Sequence, residues 1–441
     1  MKVYCGACGG ERGCEGCKKA EKAAEYTGLT GFFVNGNEQE HSAVVCATEK
    51  NTQCRQANVL LLAADLGTTT LAFVCTDERG RVLASYGAVN PQRKIAADVI
   101  GRIDEALHGA KEKMTKEIKE ALLKGFLFVL KKGSEEAERE GINPETMEVR
   151  MSVAGNTVME HLLLGYPVDG FGKAPFSAYS TETVKMSFST LFSETEGYAK
   201  SPEIITKAEV TVFPCLSAFV GGDALAGAYA FLLPYLTERS EQKDKEKCVL
   251  LLDLGTNGEL LLYKNGTLYG TATAMGCAFE GGAFAYASDL FRLVAEARDR
   301  GVLDDTGLLA EPYFSEGFFG LRQEDIREFQ LAKGALCAGI RVLCNRGGIR
   351  PDEVEQVYVA GGLGRYCNPN DLFAAEVLPE EFAGKTEVVG NSCLAGQVRY
   401  LKTEEFMIYW ETEMFNLAED AAFEELFYQC MDFMPKGQEE K

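Results

Sequence analysis

Two short segments of this chain have the composition of a phosphate-binding turn. Each follows an apolar run and reads Asp-Leu-Gly-Thr, beginning at Asp65 in the first copy and at Asp253 in the second. Glycine allows a positive φ and puts no side chain between the backbone and a ligand, so amides and hydroxyls of the turn can donate to phosphate oxygens. A carboxylate at the end of a strand can hold Mg²⁺ directly or through water. The two turns therefore predict binding of a phosphate ligand with Mg²⁺.

The predicted ligand contacts extend over three turns. The third begins at Val359, where a short apolar run enters the sequence Ala-Gly-Gly-Leu-Gly and a nucleoside can lie flat against the backbone. The expected phosphate contacts are Gly67, Thr68, Thr69, Gly255, Thr256 and Asn257. The expected nucleoside contacts are Gly361, Gly362 and Gly364.

The two Asp-Leu-Gly-Thr turns are flanked by segments of the same kind in the same order. An apolar run that starts at Val59 leads into the first turn, and one that starts at Val249 leads into the second. In both copies an apolar return segment and a second polar turn follow, at 77–80 and at 264–266. One copy alone is typical of an ordinary hairpin, but a repeat at this separation indicates a duplicated α/β domain rather than a solenoid.

A cluster of cysteines near the N-terminus has the spacing of a metal-binding loop. Cys8, Cys14 and Cys17 are arranged as C-x5-C-x2-C, with glycines between them. In such a loop the thiolates supply the negative charge that iron requires, and the glycines leave room for sulfide. The pattern is similar to that of [2Fe–2S] ferredoxins, which have one position fewer before the second cysteine. It predicts an iron–sulfur cluster with Cys46 as the fourth ligand and Cys54 as the second choice.

Another arrangement of the same region stays open. Cys5-x2-Cys8 and Cys14-x2-Cys17 can form an all-cysteine site for zinc or for a [4Fe–4S] cluster, in which Cys5 takes the place of Cys46. We favour iron over zinc because the glycine pattern is ferredoxin-like and because paired zinc knuckles usually lie farther apart.

The composition excludes several classes of function. The 441 residues suffice for two or three units, and a formal net charge of −21 repels phosphate backbones, which argues against a nucleic-acid partner. No run reaches the roughly 18 consecutive apolar residues of a membrane helix, and the first residues lack the apolar core of a signal peptide. We therefore expect a cytoplasmic protein without a membrane partner.

The total of 15 cysteines is odd, which together with that compartment disfavours a disulfide framework. Beyond the N-terminal region we expect cysteines such as Cys215, Cys277 and Cys344 to be small buried apolar residues. His161 lies in an apolar helical stretch and is expected to be structural rather than a ligand.

The elements that must position these residues divide the chain into three parts. Residues 1–57 form a Cys- and Gly-rich region, residues 58–245 a first lobe, and residues 246–441 a second lobe with C-terminal helices. The polar segment 240–247 marks the internal boundary. Composition and apolar periodicity predict the main helices at 111–140, 215–236, 331–343 and Phe406–Phe433.

The order of these motifs along the chain resembles that of a known superfamily. Phosphate turn, helix, phosphate turn, helix and glycine turn follow one another as in actin, hexokinase, acetate and sugar kinases and heat-shock ATPases. The resemblance covers residues 59–400 and implies a duplicated, ribonuclease-H-like α/β fold of the actin/hexokinase type that closes over ATP. The implied phosphate motifs and adenosine motif are Asp65–Thr70, Asp253–Glu259 and Val359–Gly364. The implied connecting helices are Ala218–Ala230 and Leu331–Leu343.

Longer co-linear segments resemble the reductive activators of corrinoid proteins, which are ATP-dependent electron donors. The segments are Asn90–Gln92, Ala97–Arg102, Ala154–Gly165, Pro214–Asp223 and Ala278–Gly282. The resemblance implies that an electron donor and a corrinoid protein are the partners, and that Co(II) is returned to Co(I). It also implies that Asp65 and Asp253 hold the metal and that Asp223 or Glu280 orients the attacking water. Whether the chain forms a homodimer stays open, as does the role of Asn90 and Arg102 as caps or partner contacts.

Two other functions are compatible with this fold. A small-molecule kinase would need a substrate pocket with a catalytic base, and no segment of the sequence indicates one. A regulatory nucleotide-binding module would carry structural zinc in its cysteine region.

Overall fold

The computed structural model of the chain describes residues 4–5, 59–233, 248–255, 257–276, 287–361, 368–406 and 410–434. These residues fall into two compact units. The first unit contains the described residues up to 233 together with 391–406, and the second contains those between 248 and 390 together with 410–434. The chain therefore returns to the first unit near its end, although the sequence places 246–441 in one lobe.

The first unit is built on one mixed sheet. Its strands are β1 Tyr4–Cys5, β2 Val59–Leu66, β3 Thr70–Asp77, β4 Val82–Val89, β5 Glu148–Gly155, β6 Val184–Ser187 and β7 Glu209–Val212. Their order is β1-β4-β3-β2-β5-β7-β6, so six strands form the sheet and the two-residue β1 adds to its edge. β2 pairs antiparallel with β3 and parallel with β5, and β7 pairs parallel with β5. The carboxyl ends of β2, β5 and β7 consequently meet at one edge of the sheet.

Helices cover this sheet because their apolar residues recur at helical spacing. Up to residue 233 the helices are α1 Val99–Glu105, α2 Lys111–Arg139, α3 Thr157–Leu164, α4 Phe188–Phe192, α5 Glu203–Thr206 and α6 Gly222–Phe231. In α2, Ile118, Leu122 and Phe126 are four residues apart and fully buried. Gly125 lies so close to β3 that a Cβ there would overlap the ring of Phe73, so the helix packs directly on the sheet.

The second unit repeats this plan on a six-stranded sheet. Its strands are β8 Cys248–Leu254, β9 Asn257–Lys264, β10 Thr267–Ala274, β11 Gln356–Ala360, β12 Thr386–Gly390 and β13 Glu411–Met414, in the order β12-β11-β8-β9-β10-β13. Beyond residue 247, the described residues form the helices α7 Ala287–Asp299, α8 Tyr313–Glu316, α9 Gln323–Arg346, α10 Pro369–Ala374, α11 Ser392–Thr403 and α12 Phe423–Met431. Of these, α11 belongs to the first unit. Each unit has its own hydrophobic core.

The sheet topology confirms the duplication that the sequence predicts. The strand order β4-β3-β2-β5-β7 of the first unit corresponds to β10-β9-β8-β11-β12 of the second. Asp65 lies opposite Ala154 on β5, and Asp253 lies opposite Ala360 on β11. β5 ends in Val-Ala-Gly, and β11 ends in Val-Ala and is followed by Gly361. The two sheets therefore carry an Asp and a glycine at corresponding positions of corresponding strands.

Two helices of the first unit, α6 and α11, pack tightly against each other. α6 and α11 approach so closely that a Cβ on Gly396 would overlap the backbone of Ala226. Arg399 of α11 also donates from Nη1 to the carbonyl oxygen of Ala230 at 3.2 Å. The sequence named Leu331–Leu343 as the second connecting helix. Those residues lie in α9, which packs on β9, β10 and α12 of its own unit.

Two predicted helices differ from the observed elements. The helix predicted at 215–236 begins only at Gly222, because Ser217 Oγ accepts from the amides of Phe219 and Val220 and holds the preceding residues in a turn. The segment Phe406–Phe433 is not one helix. It contributes β13, which satisfies the backbone groups at the edge of β10, and only then α12. No helix in the described part of the chain is long and apolar enough to cross a membrane.

Candidate nucleotide site

The first predicted phosphate turn lies between β2 and β3, at the carboxyl edge of the first sheet. Leu66 pairs with Leu71, so the chain reverses within a few residues. A Cβ on Gly67 would lie 2.5 Å from the carbonyl oxygen of Thr70, and the turn therefore requires glycine at this position. Gly67, Thr68 and Thr69 are partly exposed. The structure thus places the three predicted contacts together in one accessible turn.

The carbonyl groups of this turn accept hydrogen bonds from two residues outside it. Asn90 donates from Nδ2 to the carbonyl of Gly67 at 2.8 Å, and the backbone amide of Asn90 donates to the carbonyl of Thr69 at 2.9 Å. Arg102 donates from Nη2 to the carbonyl of Thr68 at 2.6 Å. Because all three carbonyls have protein donors, the conformation of the turn is fixed before any ligand binds.

Arg102 is an unusual support because it has no solvent exposure. Burial lowers the pKa of its guanidinium to about 10, and the charge of Arg93 acts in the same direction. Arg102 Nη1 also donates to Gln92 Oε1 at 3.3 Å. The sequence alone does not decide whether Asn90 and Arg102 are structural caps or contacts to a partner. In the structure Asn90 caps the short 3₁₀ helix at Pro91–Lys94, and both residues support the phosphate turn.

Asp65 receives a hydrogen bond from a residue far away in the sequence. Its Oδ2 accepts from Nδ2 of Asn391 at 2.6 Å. Asn391 is the N-cap of α11, so the carboxylate lies beside the N-terminal end of a helix, where a negative charge is favoured. Sequence reasoning missed Asn391, since its only local signal is an asparagine before an apolar helical run.

The turn after β5 supplies a second contact to the phosphate turn. Asn156 caps α3 by accepting from the amide of Met159 at 3.0 Å, and its Nδ2 donates to Thr68 Oγ1 at 2.9 Å. Since Oγ1 accepts this bond, the hydroxyl proton of Thr68 can donate to a phosphate oxygen. Asn156 therefore orients a predicted ligand contact.

A buried acid, Glu160, supports the turn that follows β5. Glu160 Oε1 accepts from the amide of Gly155 at 3.0 Å, and Oε2 accepts from the thiol of Cys215 at 3.1 Å. Burial raises the pKa of Glu160 well above its usual value, and the charge of Asp223 adds to this rise. Burial also raises the pKa of Cys215, so this cysteine stays a thiol. The prediction that Cys215 is buried is confirmed, although it also donates a hydrogen bond.

Asp223, one of the two predicted water-orienting carboxylates, lies in the first turn of α6 and is partly exposed. Gly221, just before α6, packs on the β5 turn so closely that a Cβ there would overlap the backbone of Asn156. Asp223 Oδ1 accepts from the amide of Ala224 at 2.8 Å. The first unit therefore gathers Asp65, the phosphate turn and Asp223 behind the carboxyl ends of β2, β5 and β7.

His161 is structural, as predicted. It is 2% exposed, its Nδ1 lies 2.7 Å from the carbonyl oxygen of Thr157, and its Nε2 accepts from the amide of Tyr179 at 3.1 Å. Burial lowers the pKa of the imidazole, which favours the neutral ring. Both nitrogens are thus engaged within the protein.

The second phosphate turn and the glycine turn meet in the second unit. Gly255 donates its amide to the carbonyl of Asn257 at 2.9 Å and closes the turn between β8 and β9. Gly361 has a φ of +86°, and a Cβ there would lie 2.5 Å from Asp253 Oδ1 and 2.5 Å from the carbonyl oxygen of Leu254. Only glycine fits, so the backbone of the predicted nucleoside turn lies directly on the predicted metal-holding carboxylate.

Several predicted residues lie outside the described residues. They are Thr256, Glu280, Gly362, Gly364 and the predicted cluster ligands Cys8, Cys14, Cys17 and Cys46, together with Cys54 and Cys277. Within the described part of the chain, no group of three or more His, Cys, Asp or Glu side chains is arranged to hold a metal ion.

The donors of the first turn fit Mg²⁺. Asp65 and Thr68 offer only hard oxygen atoms, which Mg²⁺ prefers. Mg²⁺ in nucleotide sites is commonly held by one or two carboxylates together with the phosphates of the substrate, rather than by a closed protein cage.

Comparisons with known proteins agree with this geometry. The family model described as the RACo middle region matches residues 60–234, and the model of the C-terminal domain of RACo, the ASKHA domain, matches 247–288 and 313–440. The corrinoid activation enzyme RamQ of Eubacterium limosum is 26% identical over 410 residues, covering 78% of this chain and 64% of that protein.

A solved structure titled reductive activator for corrinoid, iron-sulfur protein matches with a TM-score of 0.66 and 23% identity, covering 87% of this chain and 67% of that chain. This match shows the fold and confirms the predicted architecture. The chain spans about two thirds of the length of these relatives. Because the two RACo models match adjoining regions in both units and together cover most of the sequence, the chain belongs to the RACo family.

Proposed function

We propose that this chain is an ATP-dependent reductive activator of a corrinoid protein, which passes one electron to Co(II) and restores Co(I). The observation that carries the proposal is the match of both units to RACo, together with the relative RamQ, which is named a corrinoid activation enzyme. Reduction of Co(II) is unfavourable, so ATP binding and hydrolysis would bias a conformational change that drives it. The electron donor and the corrinoid protein are the proposed partners, and the cytoplasm is the proposed compartment.

The first unit would receive the phosphates. The amides of the turn and the hydroxyl of Thr68 would donate to phosphate oxygens, since Asn90, Arg102 and Asn156 already fix the turn around them. Phosphoryl transfer depends on positioning and charge stabilisation more than on covalent chemistry, and a rigid turn supplies the positioning. Asp223 is proposed to orient the attacking water, with Glu280 as the alternative.

The second unit would hold the nucleoside against its glycine turn, at Gly361, Gly362 and Gly364. Asp65 and Asp253 would hold Mg²⁺, which supplies neutralisation of the phosphate charge. The close approach of Gly361 to Asp253 supports this assignment, because the residue proposed to contact the nucleoside lies beside the carboxylate proposed to hold Mg²⁺. The phosphate turn Gly255–Asn257 would complete the site from this unit.

The N-terminal cysteines would hold the redox centre. Cys8, Cys14, Cys17 and Cys46 are proposed to bind a [2Fe–2S] cluster, with Cys54 or Cys5 as alternative fourth ligands. Such a cluster supplies one-electron transfer. Iron and acid-labile sulfide, measured on protein purified without oxygen, test this part directly. We expect stoichiometric iron that is lost in Cys14→Ala, whereas zinc or no metal would overturn the electron-transfer role.

The whole reaction can be tested with a Co(II) corrinoid protein and a low-potential chemical reductant. We expect Co(I) to appear in the visible spectrum only when the chain, ATP and Mg²⁺ are all present. We expect Asp65→Asn to abolish this ATP-dependent formation of Co(I). Phosphorylation of a small molecule without cobalt reduction would instead favour a kinase of the same fold. Gel filtration with light scattering distinguishes a monomer from a homodimer.

A further inference from the structure

Asn391 makes two different bonds with the two ends of one amide. Its Oδ1 accepts from the backbone amide of Leu394 at 2.7 Å and so caps α11. Its Nδ2 donates to Asp65 Oδ2 at 2.6 Å. The bond from Leu394 requires an oxygen on the helix side, so the NH₂ group must face Asp65. The orientation of the amide is therefore determined by both partners.

The cap alone does not explain why an asparagine stands here. Serine, threonine and aspartate cap helices about as well as asparagine. Serine and threonine are too short to make the second bond, and aspartate would bring a second negative charge against Asp65. Asparagine is the capping residue that can also donate to the carboxylate. The presence of asparagine thus indicates that residue 391 has a second role, the hydrogen bond to Asp65.

The neighbouring residue connects the same position to the glycine turn. Gly390, the last residue of β12, accepts through its carbonyl oxygen from the amide of Gly361 at 3.0 Å. Gly390 belongs to the second unit and Asn391 to the first.

We propose that Asn391 is a positioning residue that fixes the carboxylate of Asp65 for Mg²⁺ bound with the nucleotide. This proposal rests on the proposed function, in which Asp65 holds the metal. Residues that hydrogen-bond to a metal-ligating group orient it, and their loss typically weakens metal affinity by about 10- to 100-fold. Asn391 acts through Asp65 and needs no contact with ATP.

The test separates the cap from the contact. Asn391→Ser keeps a capping oxygen but removes the donor to Asp65, whereas Asn391→Ala removes both. Asn416→Ser is the matched control, because Asn416 caps a short helix in the second unit by accepting from the amide of Ala418 at 3.1 Å. ATP binding is measured by equilibrium dialysis on the full chain, across a titration of Mg²⁺ and in excess EDTA. Thermal unfolding midpoints are measured in parallel without nucleotide.

For Asn391→Ser we expect the Mg²⁺ concentration at half-maximal ATP binding to rise about tenfold or more. Binding in EDTA and the unfolding midpoint should stay at the wild-type values. Asn391→Ala should show the same rise in Mg²⁺ requirement together with a midpoint lowered by about 2 to 4 °C. Asn416→Ser should leave the Mg²⁺ requirement unchanged.

An unchanged Mg²⁺ requirement in Asn391→Ser would show that Asn391 is only a cap and would overturn the proposal. An equal loss of ATP binding with and without Mg²⁺ would also overturn it, because the residue would then act on the nucleotide rather than on the metal. A wild-type chain without Mg²⁺-dependent ATP binding would overturn the proposed function itself, and this inference with it.

Discussion

The guanidinium of Arg102 donates to the backbone carbonyl of Thr68 at 2.6 Å from a fully buried position. A buried cation is costly unless its donors are satisfied. Arg102 satisfies them with the Thr68 carbonyl, with Gln92 Oε1 at 3.3 Å and with the carbonyl of Ala96 at 3.3 Å. The phosphate turn is thus part of the hydrogen-bonding network that makes this buried charge tolerable.

Arg102→Met should therefore affect both stability and binding. The variant leaves the Thr68 carbonyl without its charged donor, so we expect the free energy of unfolding in urea to fall by about 3 kcal/mol. ATP affinity should fall as well, because the turn is no longer fixed. Arg139→Met is the control, since Arg139 is an exposed partner of Glu136 and its loss should cost at most about 0.5 kcal/mol. Equal effects of the two substitutions would contradict the role of Arg102.

Glu160 predicts a particular dependence of stability on pH. Its pKa in the folded chain is raised well above the usual 4.5, mainly by burial. The folded chain therefore retains a proton that the unfolded chain releases. The contribution of Glu160 to stability is fully present below pH 4.5 and declines as the pH rises towards the folded pKa.

Glu160→Gln should remove this decline, because glutamine keeps the acceptor for Gly155 and cannot ionise. We expect the variant to gain stability relative to the wild type between pH 5 and pH 8, as measured by urea midpoints. The exposed Glu316→Gln should give a pH profile parallel to that of the wild type. A parallel profile for Glu160→Gln would show that the buried carboxyl does not titrate as proposed.

The sequence predicts those parts of the site that depend on neighbouring residues. The hairpins at Asp65 and Asp253 and the glycine pattern at Gly361 follow apolar runs in the sequence. The structure contains both hairpins and gives Gly361 a φ of +86°. The duplication follows as well, because the same pattern occurs twice. Local chemistry suffices where an element and its turn are adjacent in the chain.

The parts that could not be predicted depend on tertiary packing. Asn391 contacts Asp65 across 326 positions, and nothing near either residue indicates the other. The segment Glu411–Met414 lies within a region of helical composition but becomes a strand because the edge of β10 offers it backbone partners. The placement of α11 with α6 depends on a glycine whose importance appears only when the Ala226 backbone lies against it.

Gly396→Ala tests that packing, because we expect the substitution to lower the free energy of unfolding although it stabilises a free helix. In a free helix the change from glycine to alanine stabilises by about 1 kcal/mol. Here the added Cβ would overlap the backbone of Ala226, so α6 and α11 must separate. We expect a loss of about 3 kcal/mol in the free energy of unfolding, which is typical of overpacking. A gain in stability would show that the two helices can move apart freely.

Gly361 and Gly348 form a matched pair for testing the nucleoside turn. Both have positive φ, +86° and +62°, so alanine at either position incurs strain of about 1 to 2 kcal/mol. A Cβ on Gly348 would meet no atom within 4 Å, whereas one on Gly361 would press on Asp253 Oδ1. We expect both alanine variants to lose stability in urea, but only Gly361→Ala to lose ATP affinity, by about tenfold or more, because only it displaces Asp253, the carboxylate that is proposed to hold Mg²⁺. If equilibrium dialysis gives the two variants equal affinity for ATP, the glycine turn after β11 does not contribute to the nucleotide site.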